Sequence, residues 1–246
     1  MLSPANTKSL PRLWAQYITV SMFNIGAAAT AYAPLNYATK PLLMPLLIVI
    51  FWLTVRPVPR SWTFGILMGL TFSLFGDIAL MFMGDRAFMA GLIAFLIAHV
   101  SYFMAFWYYS VEQRSTMPNV RGNFPRRWWW LLPFVALWVG LNTWLAPSLH
   151  ELQIPVGVYS LAICFMAAYA VHIQPLTQGR GRVLLVGVLL FMASDMIIAL
   201  TKFAPAYAPP MPTVWIMLLY IVGQALIVRG VIRVVSSSSM LQHDLT

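Results

Sequence analysis

Apolar residues run along the chain in stretches long enough to cross a bilayer, separated by short polar connections. A hydrocarbon core about 30 Å thick needs about 20 predominantly apolar residues per helix. Eight such runs are read, at roughly 13–33, 41–55, 62–83, 88–110, 128–145, 153–172, 183–203 and 213–233. The second is short, and Pro41 and Pro45 blur its start; seven is the alternative count. The pattern predicts an all-α, polytopic membrane helix bundle forming one domain over 1–246, with short tails at about 1–12 and 234–246. The longest connection, about 111–127, leaves no room for a soluble domain. It and the tail from Ser236 to Thr246 read as polar and mobile.

Composition agrees with that pattern. Of 246 residues, 61% are hydrophobic and 9% charged, against about 25% charged in soluble domains. The net charge of +9 then needs an explanation other than nucleic acid. With the N-terminus inside, Lys8, Arg12, Arg56, Arg60, Arg114, Arg121, Arg126, Arg127, Arg180, Arg182, Arg229 and Arg233 fall on the cytoplasmic side. Lys40, Arg86 and Lys202 fall outside. Twelve against three is a positive-inside asymmetry that supports eight crossings and both termini in the cytoplasm. The basic residues thus report orientation and contact with anionic lipid. Lys8 and Arg12 before an apolar run ending near Ala31-Tyr32-Ala33 also resemble a cleavable signal. The run's length, with Gln16 and Asn24 inside it, favours a retained first helix. Short loops and the lack of an organellar transit pattern point to a bacterial inner membrane.

Six acidic residues remain to be placed. Asp85, Glu112, Glu151 and Asp244 read as loop or tail residues, where water explains them. Asp77 and Asp195 lie within spans, and a carboxylate at bilayer depth is costly enough to mark a functional site. Both follow a small residue, Gly76 and Ser194, and both precede apolar residues. Both sit in the outer half of spans that run outward, which hints at a duplicated four-helix unit (4+4). Gly65, Gly69, Ser73 and Asp77 recur every four residues, a small-residue stripe that lets another helix approach. Gly187 lies close to the face of Asp195 in the same way. Lys202 projects from the face of Asp195 about 10 Å nearer the outer interface. Lys40 enters span 2 from that side as Lys40-Pro41. Two carboxylates below two lysines suit an anionic amphiphile: phosphate to the ammonium groups, tail among helices, labile bond at the acids. The alternative for the aspartates is a buried salt bridge to Lys40 or Lys202 that only fixes packing.

Other intramembrane polar groups are His99 and Tyr102, Asn24, Tyr159, and Tyr220 with Gln224. Each alone is ordinarily glue between helices, although a histidine can also shuttle a proton or orient a carboxylate. The single cysteine, Cys164, lies in an apolar run, so no disulfide framework or cysteine metal site is read. No HExxH pattern occurs, and no GxSxG elbow around Ser73, Ser101, Ser160 or Ser194, which argues against zinc and serine-hydrolase chemistry.

The chain resembles the YhhN family of lysoplasmalogenase-like membrane proteins. The resemblance rests on Gly76-Asp77 with Ile-Ala-Leu-Met after it, Lys40-Pro41, and Ser194-Asp195 continuing as MIIALTKF to Phe203. It implies hydrolysis of the vinyl-ether bond of lysoplasmalogens to a fatty aldehyde and glycerophosphocholine or glycerophosphoethanolamine. Protonation of the terminal alkenyl carbon would give an oxocarbenium ion, and water would then attack. That chemistry needs one carboxylic acid and one carboxylate, a division of labour that glycosidases share. Asp77 and Asp195 would share a proton, in an order the residues leave open. Lys40 and Lys202 would hold the phosphate, and His99, Tyr102, Asn24 and Tyr159 would complete the substrate site. The scheme requires no cofactor and no metal; the partners expected are the lysophospholipid and the surrounding lipids. The rival readings are a proton-coupled transporter using the same aspartates and a lipid-binding protein without turnover.

Overall fold

Backbone in a lipid environment must satisfy its own hydrogen bonds, which helices do within each segment. The computed structural model describes residues 4–55, 61–116 and 131–243, with side chains over 9–55, 62–115 and 131–235. Among the described residues it is helical, with no strand. In chain order the helices are α1 (Pro4–Thr30), α2 (Ala33–Val55), α3 (Ser61–Ala79), α4 (Asp85–Thr116), α5 (Leu132–Leu149), α6 (Gln153–His172), α7 (Arg182–Phe203) and α8 (Pro212–His243).

Six stretches are long and apolar enough to cross a membrane: Ala33–Val55, Trp62–Ala79, Asp85–Ser115, Leu132–His172, Arg182–Phe203 and Pro212–Val235. The fourth holds two helices folded on each other. The chain reverses at His150 (φ 45°), and Trp138 Nε1 donates to Gly157 O at 2.9 Å while Asn142 Nδ2 donates to Ser160 Oγ at 3.0 Å. Helix α1, which carries Arg12, Gln16, Ser21 and Asn24, is not among the six.

Several boundaries differ from the hydropathy pattern, the first being that helix α1 starts at Pro4, inside the stretch read as a tail at 1–12. Helix α2 begins eight residues before Pro41, so Lys40 lies inside it and Pro41 and Pro45 are interior. Pro34 suits the first turn, where its missing N–H costs nothing. The polar residues that mask this start are bonded: Asn24 Nδ2 donates to Asn36 Oδ1 (3.1 Å) and Thr39 Oγ1 (3.0 Å), and Thr39 donates on to Leu35 O (2.7 Å). Helix α4 continues through Thr116, into the stretch read as a loop, and residues 117–127 lie outside the described ones. Helix α8 carries on to His243, through most of the stretch read as a mobile tail.

Small residues set the closest helix contacts. Gly187 and Gly223 bring the backbones of α7 and α8 together: a methyl group on Gly187 would stand 2.6 Å from Ile227 N and 2.7 Å from Gly223 O. Gly69 leaves room for the Tyr102 ring and Gly76 for the Phe95 ring, which seats α4 on α3. The expected small-residue stripe therefore serves close packing. One cluster of buried apolar side chains runs from Tyr17 on α1 to Val234 on α8.

Candidate functional site

Both intramembrane aspartates are buried, Asp77 at 2% and Asp195 at 4% exposure. A buried carboxylate must be met by donors or by charge, and each has its own set. On α7, Asp195 Oδ2 receives the Tyr159 hydroxyl of α6 at 3.1 Å and lies 2.9 Å from His99 Nε2 of α4. The same ring nitrogen is 3.3 Å from the Tyr159 hydroxyl. When Asp195 is ionised, Nε2 must carry the hydrogen, which leaves Nδ1 as the other ring nitrogen. His99 Nδ1 is buried without a hydrogen-bond partner among the described residues.

On α3, Asp77 Oδ2 receives the Tyr220 hydroxyl of α8 at 2.7 Å, and Oδ1 faces Lys40 Nζ of α2 at 3.7 Å. One turn along both helices, Tyr102 donates to Gln224 Oε1 (2.8 Å) and Gln224 Nε2 donates to Ser73 Oγ (3.1 Å). The Ser73/Asp77 face of α3 thus meets the Tyr220/Gln224 face of α8 in two rungs. The pairing is crossed: the carboxylate of α3 is bonded by α8, and that of α7 by α4. Two phenylalanines link the two nests. Phe191 stacks at 4.8 Å on His99 and meets Tyr220 at 5.4 Å, and Phe95 meets Tyr220 at 5.9 Å and Phe191 at 6.2 Å.

Asp195 meets open space. An open-sided apolar cleft lies between the C-terminal end of α3 and helices α4, α6 and α7. Leu80, Phe88, Leu92, Phe95, Val156 and Ile198 are among its walls, and Tyr159 and Asp195 supply its polar groups. Phe88 and Phe203 flank it at the ends of α4 and α7, edge to face at 6.0 Å.

The expected site residues therefore divide. Asp195 and Tyr159 line the cleft with His99 buried behind them on Asp195, and Asp77 and Lys40 form a second nest with Tyr220. Tyr102 joins the Gln224–Ser73 chain instead of a carboxylate, and Asn24 ties α1 to α2. Lys202 pairs with neither intramembrane aspartate; its Nζ lies 3.0 Å from Asp85 Oδ1. Residues that hydropathy and charge did not single out for the site are Tyr220, visible as an intramembrane polar group, and Asp85, Phe88, Phe95 and Phe191. Nothing in the sequence marks those phenylalanines apart from the chain's other apolar residues. Among the described residues no three His, Cys, Asp or Glu side chains gather as a metal site requires.

Comparison with known proteins agrees with the resemblance carried by the aspartate motifs. The model of the YhhN family matches residues 35–231. No curated protein and no solved structure matches the chain.

Proposed function

This chain belongs to the YhhN family, and we propose that it is a multi-pass membrane hydrolase that cleaves the vinyl ether of lysoplasmalogens. The observation that carries the proposal is the apolar cleft ending on Asp195, with His99 and Tyr159 hydrogen-bonded to that carboxyl group. In this reading all eight helices cross the membrane, both ends face the cytoplasm, and the host is a bacterial inner membrane. The cleft mouth, at the Phe88 and Phe203 ends of α4 and α7, then faces the outer leaflet.

The alkenyl chain lies along Leu92, Val156 and Ile198, which puts the ether at Asp195. The carboxylic acid form of Asp195 gives its proton to the double-bond carbon remote from the ether oxygen, and the double-bond electrons form the new C–H bond. The cation left on the carbon bearing oxygen is an oxocarbenium ion, which the resulting carboxylate stabilises. Water adds to that carbon and yields its proton to the Asp195 carboxylate, oriented by His99. The hemiacetal hydroxyl then loses its proton as C=O forms and the bond to the glycerol oxygen breaks, and that oxygen takes up the proton, releasing fatty aldehyde and the glycerophospho-alcohol. One water is consumed and the acid is regenerated. Asp77 does not line the cleft; its charge, balanced by Lys40 and Tyr220, acts across Phe95 and Phe191 as a positioning influence on this cycle. In place of an acid and a base divided between the two aspartates, this scheme gives both roles to Asp195.

The transporter reading uses the same aspartates, but the walls of the cleft suit an apolar chain better than an ionic cargo. The deciding experiment is aldehyde release from an alkenyl lysophospholipid by the detergent-purified protein, without any ion gradient. Turnover in wild type, lost in a folded Asp195→Asn variant and reduced in Asp77→Asn, supports the proposal. Absence of release from folded wild type with both ethanolamine and choline head groups overturns it.

A further inference from the structure

The cleft mouth carries an ion pair that the hydrolytic cycle does not use. Lys202 Nζ lies 3.0 Å from Asp85 Oδ1 and 5.0 Å from the centre of the Phe88 ring, which itself lines the cleft. The two partners differ in exposure: the Lys202 side chain is 38% exposed and the Asp85 side chain 90%. The ammonium group thus sits against a ring that lines the cleft, and the carboxylate paired with it is the more exposed of the two.

We propose that Asp85 and Lys202 form a head-group clamp that selects zwitterionic lysophospholipids, Lys202 receiving the phosphate and Asp85 the terminal ammonium. The ligand class rests on the hydrolase reading above. A lysophospholipid presents the complementary order: a labile bond, a glycerol, an anionic phosphate, and last a cationic amine. Lys202 is seven residues beyond Asp195 on the same helix, about two turns or 10 Å along its axis, and its flexible stem spans the remaining offset to a phosphate. A compact ammonium suits a phosphate as a point charge.

The pair is also built to be opened. An exposed lysine–carboxylate bridge contributes little to stability, because water screens it and both side chains lose rotamer freedom to hold it. A zwitterionic ligand inserted between the two gives each charge a new counter-charge, so opening the bridge leaves neither group unpaired. An anionic head group with no amine satisfies Lys202 but strands Asp85 next to added negative charge. An uncharged terminus, such as phosphoglycerol, leaves Asp85 with water alone. Preference for an amine follows from Asp85, and affinity for phosphate from Lys202.

The test uses saturated 1-O-alkyl lysophospholipids, whose ether has no double bond to protonate and which therefore report binding alone. Calorimetric titration of the full-length protein in detergent would compare phosphoethanolamine, phosphoglycerol and plain phosphate heads on one chain length. Wild type is expected to bind the phosphoethanolamine lipid about two- to fivefold more tightly than the phosphoglycerol lipid, the range that exposed ion pairs span. Asp85→Asn brings that ratio to about one, and Asp85→Glu restores it. Lys202→Met weakens all three ligands. A ratio within one variant does not depend on the folded fraction, so a poorly folding variant still reports. A ratio near one in wild type, an unchanged ratio in Asp85→Asn, or no binding of any of the three lipids overturns the clamp. Aldehyde release measured on the same preparations with alkenyl lipids separates the two ideas. Head-group preference without release leaves the clamp standing and removes the hydrolase; release without preference does the reverse.

Discussion

Replacing Lys40 with methionine tests whether the second carboxylate is held by charge. Lys40 Nζ and Asp77 Oδ1 are 3.7 Å apart, with side chains 11% and 3% exposed. At an effective dielectric of about 20 their attraction is about 4 kcal/mol, from which the desolvation of both groups must be subtracted. The two partners are not equivalent. Asp77 has a short side chain on a helix face covered by α8 and cannot reach water. Lys40 is on a long stem in the first half of α2, so it can turn its ammonium toward the nearer membrane surface when its partner is lost. Lys40→Met therefore strands a buried charge and is expected to cost about 3 kcal/mol, the lower end for breaking a buried pair. Asp77→Asn keeps the Tyr220 contact and frees the lysine, and is expected to cost about 1 kcal/mol. The double variant removes both charges and is expected to recover about half of the summed loss, giving a coupling energy of about 2 kcal/mol. The assay is equilibrium unfolding in mixed micelles as the SDS fraction rises, followed by tryptophan fluorescence for all four proteins. Additive losses, with the double variant as unstable as the sum of the singles, would refute the reasoning, as would equal costs for the two single changes.

Three further outcomes are expected. Gly187→Ala places a methyl group against the α8 backbone at Ile227 N and Gly223 O, which no side-chain rotation relieves; it lowers stability by about 2 kcal/mol or more in the same unfolding assay. His99→Leu leaves Tyr159 on Asp195 but removes the ring nitrogen that orients the carboxyl group, so kcat for aldehyde release falls about a hundredfold while KM changes little. Ala199→Phe fills the cleft with an aromatic ring; turnover of long alkenyl chains drops more than stability does, checked by parallel kinetics and unfolding.

Much of the architecture is legible in the order of residues, because lipid penalises unpaired backbone so heavily that apolar length alone implies helix. Asp77 and Asp195 stand out for the same reason: a charge inside such a run has a cost that something must offset. The start of α2 is hidden because Asn36 and Thr39 lower hydropathy, while the bonds from Asn24 that permit them there cross between helices. The meeting of Tyr220 with Asp77, 143 residues apart, depends on how each helix is rotated, and near-uniform apolar faces leave little pattern from which to read rotation. Asp85 reads as a connection residue from charge alone, since its partner Lys202 lies on another helix 117 positions away.

The crossed bonding of the two carboxylates has a consequence for synthesis. A chain emerging from the ribosome inserts α2 and α3 long before α8 exists, so Asp77 enters the membrane without Tyr220. Lys40, one helix earlier, is by then already in place as its counter-charge. Asp195 meets the opposite situation: His99 and Tyr159 have been made before it arrives, and its partners are waiting. The lysine is thus the early escort of the first acid, and the second acid needs none. A nascent chain arrested after α4 carries Asp77 and Lys40 of one nest and only His99 of the other, so the cleft is complete only when α6 and α7 have joined the first four helices.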